Sequence, residues 1–205
     1  MTKLNLKLII LSKLFLIFFS FFLYCVAEEH NKNENFIVMG SNEASIKIKI
    51  FSSFTCPHCA DFHLNVIPKI KEKYVDTKMV QIIFIDFPLD LAAFNASKLL
   101  HCLDSDMQIN FIDEIYKKQD EWTNGSDIEN INSNLKKIVK DLGINYLNPN
   151  SCLNNEDISD KILNYRIDAQ KKYSINSTPT IIINEKKLEG SVSFKTIKKK
   201  IEKLI

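Results

Sequence analysis

The chain has 205 residues, of which 45% are hydrophobic and 25% charged, with only 4 Gly and 5 Pro. That composition suits one globular domain, or one domain carrying a large insertion, and excludes collagen-like chains and extended linkers. The formal charge is +2 at pH 7, a near-neutral balance that gives no reason to expect nucleic acid as a partner.

The elements follow in chain order. Lys3, Lys7 and Lys13 make a positive leading segment, and Leu14 to Tyr24 (LFLIFFSFFLY) is an unbroken apolar or small run. Cys25-Val26-Ala27 then places small residues ahead of a cleavage point, so residues 1–27 read as a secretory signal peptide cut near Ala27. An uncleaved anchor is the alternative, but the apolar run is about half of the roughly 20 residues that a span needs. Lipidation of Cys25 is a third reading, opposed by the bulky Tyr24 before it. Cleavage takes three lysines from 27 basic residues and leaves 24 against 25 acidic ones, net −1.

Residues 28–35 are polar and expected to be disordered. Phe36 to Met39 can form a short strand, and Gly40-Ser41-Asn42-Glu43 is turn chemistry. Ser45 to Phe51 (SIKIKIF) alternates apolar and polar residues, which predicts a strand running directly into Cys56. Beyond Cys59 the period becomes helical, with Ala60, His63, Val66, Ile67, Ile70 and Tyr74 near one face. Pro68 should kink that helix. Val80 to Phe87 (VQIIFIDF) reads as a buried parallel strand, completing a βαβ unit.

Residues 91–173 carry four amphipathic segments, with stops at Asn124-Gly125-Ser126 and Gly143. Strand returns at Thr180 to Asn184, turns at Glu185-Lys186 and continues through Lys187-Leu188. Gly190 ends it, and Phe194 to Ile205 is a last helix, with Lys198-Lys199-Lys200 on its solvated face. The expected divisions are therefore 36–90, a helical insertion over 91–173, and 174–205. A helical domain inserted into a small α/β fold is the simplest arrangement.

Four cysteines remain after cleavage: Cys56, Cys59, Cys102 and Cys152. An even number in an exported chain points to disulfides. Cys56-Pro57-His58-Cys59 lies at a strand-to-helix junction. The free N–H groups and the dipole of a helix N-terminus favour an anion, so Cys56 is placed to be a thiolate. Cys59 sits about one turn on, at roughly 3.6 residues per turn, within reach of a disulfide to Cys56. Pro57 suits the first helical turn, where its missing N–H is not needed. His58 adds a polar or positive group beside the Cys56 sulfur.

A zinc site is the competing reading of C-x-x-C. A closed site usually needs four ligands, and His63 and His101 are the only later histidines. Metal is therefore not expected, and His63 reads as a helix-face residue. Thr178-Pro179 directly precedes the TIIIN strand, where a cis X–Pro bend or an ordinary trans strand entry both fit. Cys102 and Cys152 lie far apart in the helical block, as a structural staple or as a second redox pair.

C-P-H-C after a strand, then a helical block, then T-P before an apolar strand resembles the DsbA family of bacterial dithiol oxidases. CPHCADFHLNVIPKIKEKYVDT followed by IDFPLD is similar to the alphaproteobacterial branch, which often carries a second cysteine pair. The resemblance spans essentially all of the mature chain. It implies a thioredoxin fold with an inserted helical domain, a cis Pro179 beside Cys56, and Thr178 as the backbone that binds an extended substrate segment. It further implies catalysis through the Cys56–Cys59 pair without a bound cofactor. Reduced exported proteins would be the substrates, in the periplasm, and a quinone-linked membrane partner resembling DsbB would re-oxidise the pair. One position departs from the pattern. Many family members carry a buried Glu six residues before the first cysteine, and this chain has Ile50, which puts proton assistance to Cys59 in doubt.

Two rivals use the same sequence features. A disulfide isomerase or reductase shares the chemistry, although family isomerases dimerise through an N-terminal domain for which no room is expected between Ala27 and Phe36. A monomer is the expectation. A non-catalytic peptide-binding module on the same fold is the rival from another class, and the intact C-x-x-C argues against it.

Overall fold

The computed structural model describes residues 36–205. The expected signal peptide and the 28–35 segment lie outside the described residues. Strand β1 (Ile37–Met39) is followed by β2 (Ile46–Ser52), helix α1 (Pro57–Asn65), helix α2 (Ile67–Ile70) and β3 (Val80–Asp86). Alternation makes β2 two-faced. Ile46, Ile48 and Ile50 bury on one face, while Lys47 and Lys49 point to the other. All seven residues of β3 are buried, as a strand covered on both faces requires.

β2 and β3 pair in parallel, with Ile50 opposite Phe84. A parallel pair needs a crossover, and α1 and α2 supply it. β4 (Thr180–Ile183) lies antiparallel on the other side of β2, with Ile50 opposite Ile181. β1 is antiparallel to β3, β5 (Lys186–Lys187) to β4, and the sheet order is β1-β3-β2-β4-β5. The strand that delivers Cys56 is thus the central one.

Three local expectations differ from what is seen. The helix after Cys59 is not one kinked rod. It breaks at Val66, restarts as α2 with Pro68 in its first turn, and ends in a π-helical turn over Lys71–Val75. A proline without an N–H is tolerated at a helix start and disruptive inside one, so a restart is the lower-energy solution. The hairpin turns at Asn184-Glu185, whose φ angles are 44° and 65°, rather than at Glu185-Lys186. Two left-handed central residues match the strand twist, and the Asn184 side chain accepts a bond from the Lys47 N–H at 2.8 Å. The terminal helix, α9 (Phe194–Ile201), stops short of Ile205.

Between β3 and β4 lie α3 (Leu91–His101), α4 (Ser105–Lys117), α5 (Gln119–Trp122), α6 (Ile128–Asp141), α7 (Pro149–Leu153) and α8 (Glu156–Tyr173). The two short helices, α5 and α7, are too brief to leave a periodic trace in sequence. Asp90, Asp127, Asn148 and Asn155 cap helix starts with side-chain oxygens. The block has no core of its own: Leu99, Phe111, Ile115, Trp122 and Leu135 join Ile48 and Ile82 in one buried cluster. The opposite face of the sheet has a smaller core of Phe51, Ile83, Ile85 and Ile182 with Ala169 of α8.

Candidate functional site

Cys56 is the N-cap of α1, in extended conformation, with Pro57 in the first turn. Its carbonyl accepts from the N–H groups of Cys59 (3.0 Å) and Ala60 (3.2 Å), so the helix is wound from the reactive residue itself. The Thr178–Pro179 peptide is cis. It carries the Thr178 carbonyl to 3.4 Å from the Cys56 sulfur. Both cysteines are free thiols, Cys56 8% exposed and Cys59 1%.

The two sulfurs differ in their surroundings. Burial pushes the Cys59 thiol up to about 12, against partial relief from the Thr178 hydroxyl and a backbone bond at Ser53, while nearby Cys56 raises it further. The Thr178 hydroxyl is buried without a well-formed hydrogen bond, and the Cys59 sulfur is the group beside it. Ile50 is buried on the Cys59 face between Phe84 and Ile181, so β2 offers that thiol no carboxylate.

The helical block grips the loop that presents Cys56. Gln119 donates its amide to the Phe54 carbonyl at 2.6 Å and to the Cys56 carbonyl at 3.2 Å. Thr55 donates to Asp90, the cap of α3, at 2.6 Å. Tyr116 is buried nearby, its phenol raised by burial first and then by Cys59. These ties preset the loop geometry before any substrate arrives.

A thioredoxin family model matches residues 32–203. A relative in Bacillus cereus described as a probable disulfide bond formation protein D is 30% identical over 172 residues, covering 80% of this chain and 76% of that protein. The chain belongs to the thioredoxin family, in its DsbA-like group of disulfide oxidoreductases. A Rickettsia bellii relative named as a protein-disulfide oxidoreductase is 27% identical over 84% of this chain, which spans 66% of that protein's length. The crystal structure of Wolbachia pipientis alpha-DsbA1 superposes with a TM-score of 0.71 at 33% identity, covering 83% of this chain and 91% of that one. The DsbA-like fold, a thioredoxin sheet with helices inserted between β3 and β4, is therefore the architecture of this chain.

Around this DsbA-like centre the structure gathers Cys56, Pro57, Cys59, Thr178 and Pro179 within one pocket of chain. His58 is exposed, with no partner among the described residues. Cys102 and Cys152 lie elsewhere, joined as a disulfide between the end of α3 and α7, with Cα atoms 6.1 Å apart. His63 is a residue of the apolar face of α1, as its spacing implies: it is 5% exposed, its ring is 4.9 Å from that of Tyr116, and its Nε2 is 2.6 Å from Asp113. Its place on the apolar stripe of α1 was the one sequence signal for that burial. Gln119 and the trio of buried Asp86 and Ser97 with half-buried His101, bonded at 2.6 and 2.7 Å, escaped sequence reading because their partners are distant in the chain or of unremarkable type.

Proposed function

We propose that this DsbA-like chain is a dithiol oxidase that introduces disulfide bonds into exported proteins in the periplasm, as a monomer. The observation that carries the reading is the inequality of the two sulfurs: one at a helix start beside the Thr178 carbonyl, the other more deeply buried behind it. A substrate thiolate attacks the Cys56 sulfur of the Cys56–Cys59 disulfide. The electron pair of the broken bond passes to Cys59, which takes up a proton because burial holds its thiol up at about 12. The second substrate thiolate then attacks the substrate sulfur of the mixed disulfide. Cys56 leaves from the start of α1, and a good leaving group makes the exchange fast and oxidising. The substrate has lost two electrons, and the enzyme has gained them.

Thr178 supports substrate positioning. A segment that pairs with its backbone as an added strand brings a cysteine to the Cys56 sulfur, 3.4 Å from the Thr178 carbonyl. Turnover needs an acceptor for the two electrons, a role suited to a quinone-linked membrane partner resembling DsbB. Among the described residues no helix is long and apolar enough to cross a membrane.

The test is the equilibrium constant of the purified protein against glutathione, together with oxidation of a dithiol peptide. An oxidase gives a potential well above the roughly −270 mV of thioredoxin and converts the peptide in one stoichiometric burst. A potential at or below that value, with rapid reduction of insulin, would overturn the oxidase reading in favour of a reductase.

A further inference from the structure

Next to the reactive cysteines lies a groove of about 540 Å³, running from Thr55 and Pro57 to the helical block. Its floor is apolar, formed by Leu91, Ile128 and Ile131. Leu91 is 56% exposed, an unusual position for so large an apolar side chain. The charged groups lining the groove are Asp90, Asp120 and Asp127, and no Lys, Arg or His lines it. In a chain with 27 Lys+Arg, the sign of that lining marks the place.

Two of these carboxylates already serve the fold. Asp90 accepts from Ala93 N–H and Thr55, and Asp127 caps α6. The backbone bond from Asn130 and the Ser126 hydroxyl hold Asp127 below the usual carboxylate range, so it is charged in the groove. Asp120 has no partner among the described residues. A second, independent group also lacks one. Gln119, only 7% exposed, lines the same groove; its amide nitrogen is committed to the Phe54 and Cys56 carbonyls, and its Oε1 accepts no bond from the described residues. That oxygen is not sealed off with the rest of the side chain, so it is open to a donor entering the groove.

We propose that this groove is a substrate subsite for a Lys or Arg side chain close in sequence to the cysteine being oxidised. The inference rests on the thiol-exchange reading above. Thr55 and Pro57 flank Cys56, so an extended segment reaching the Cys56 sulfur continues over the groove, advancing about 3.3 Å per residue. The methylene stem of Lys or Arg lies along the apolar floor, and the cationic head meets Asp120 and Gln119 Oε1. An acidic residue in the same place faces three carboxylates. The site thereby selects among cysteines by the charge of their neighbours, a preference the cysteine pair alone does not give.

The test uses dithiol peptides that carry Lys, Ala or Glu at each of the three positions on either side of the reacting cysteine. At low salt the best-placed Lys peptide is expected to exceed its Glu counterpart in kcat/KM by about tenfold. That ratio falls towards unity in 1 M salt, where the screening length is about 3 Å. Asp120→Lys removes or inverts the ratio. A parallel measurement does not need turnover. In the Cys59→Ala variant, Cys56 thiolate attacks a peptide–glutathione disulfide and releases glutathione thiolate, and the equilibrium constant for each peptide ranks them directly. Failure of every peptide to be oxidised would sink the oxidase reading, while these constants still decide the groove. Equal constants for Lys and Glu peptides overturn the subsite. A Lys preference that persists undiminished in folded Asp120→Lys overturns it as well, and should that variant not fold, a wild-type preference insensitive to salt does the same.

Discussion

The chain carries two cysteine pairs that share chemistry and differ in where the fold puts them. Cys56 caps the start of α1, where the free groups of the helix are N–H donors. Cys102 caps the end of α3, where the free groups are carbonyls. Cys56 and Cys59 are three positions apart, about one helical turn, with the carbonyl of a distant loop beside the outer sulfur. Cys102 and Cys152 are separated by 50 residues and tie α3 to α7. We propose that one pair is built to exchange and the other to stay closed. Helix polarity and loop length, rather than the cysteines themselves, make that division.

The sharpest break of the comparison is by deletion. Cys56→Ser should abolish oxidation of a dithiol peptide, whereas Cys102→Ala with Cys152→Ala should leave most of it. If the double variant is folded and inactive, the second pair is a working relay and the division fails.

Thiol reactivity should separate the sulfurs within the first pair by a factor nearly as large. With its thiol held up at about 12, Cys59 stays protonated at pH 8, and a thiolate is the reactive form. Alkylation of the reduced, folded protein, read by peptide mass spectrometry, should label Cys56 and leave Cys59 untouched. The same shift has a stability consequence. Above the usual thiol value the unfolded chain releases a proton that the folded chain retains, so Cys59 lowers the stability of the reduced form as pH rises from about 9 to about 12. Cys59→Ala should flatten that decline.

Opening the second pair should cost stability. Loss of a loop-closing disulfide typically removes about 2–5 kcal/mol, measurable as a lower urea midpoint of the double variant. No change in midpoint would mean that packing alone holds α3 to α7.

The smallest effect lies beside that second pair. Lys98, one turn before Cys102, is 7% exposed and donates to the Leu153 carbonyl next to Cys152. Burial lowers its ammonium below the usual value. The folded chain therefore sheds this proton before the unfolded one, and the contribution to stability rises as pH climbs towards 10.5. Lys98→Met should change stability by about 1 kcal/mol or less at pH 7 and lose that alkaline rise. A steeper rise in the variant would contradict the assignment.

Much of this was legible in the chain itself. The alternation of SIKIKIF set the faces of β2, the continuous apolar run of β3 announced burial on both sides, and C-P-H-C directly after a strand located the reactive turn. These are local signals, because period, proline and helix starts act over a few residues. The hairpin turn lies one residue earlier than the sequence suggests because a distant group, the Lys47 N–H, donates to the Asn184 side chain, and the helix breaks at Val66 because Pro68 starts a new helix rather than kinking the old one.

By itself, then, the sequence determined the candidate reactive pair, the strand–helix order around it and the presence of a second, widely spaced pair of cysteines. Those follow from residue type and spacing alone. Only the tertiary structure decided that Gln119 holds the Cys56 loop, that Thr178 lies against both sulfurs, that His63 is buried on Asp113, and that an acidic groove adjoins the site. Each of those contacts joins residues tens of positions apart. A polar side chain looks the same in sequence whether it meets water or a buried carbonyl. Which one it meets is settled when the helices close over the sheet and every buried polar group must find a partner.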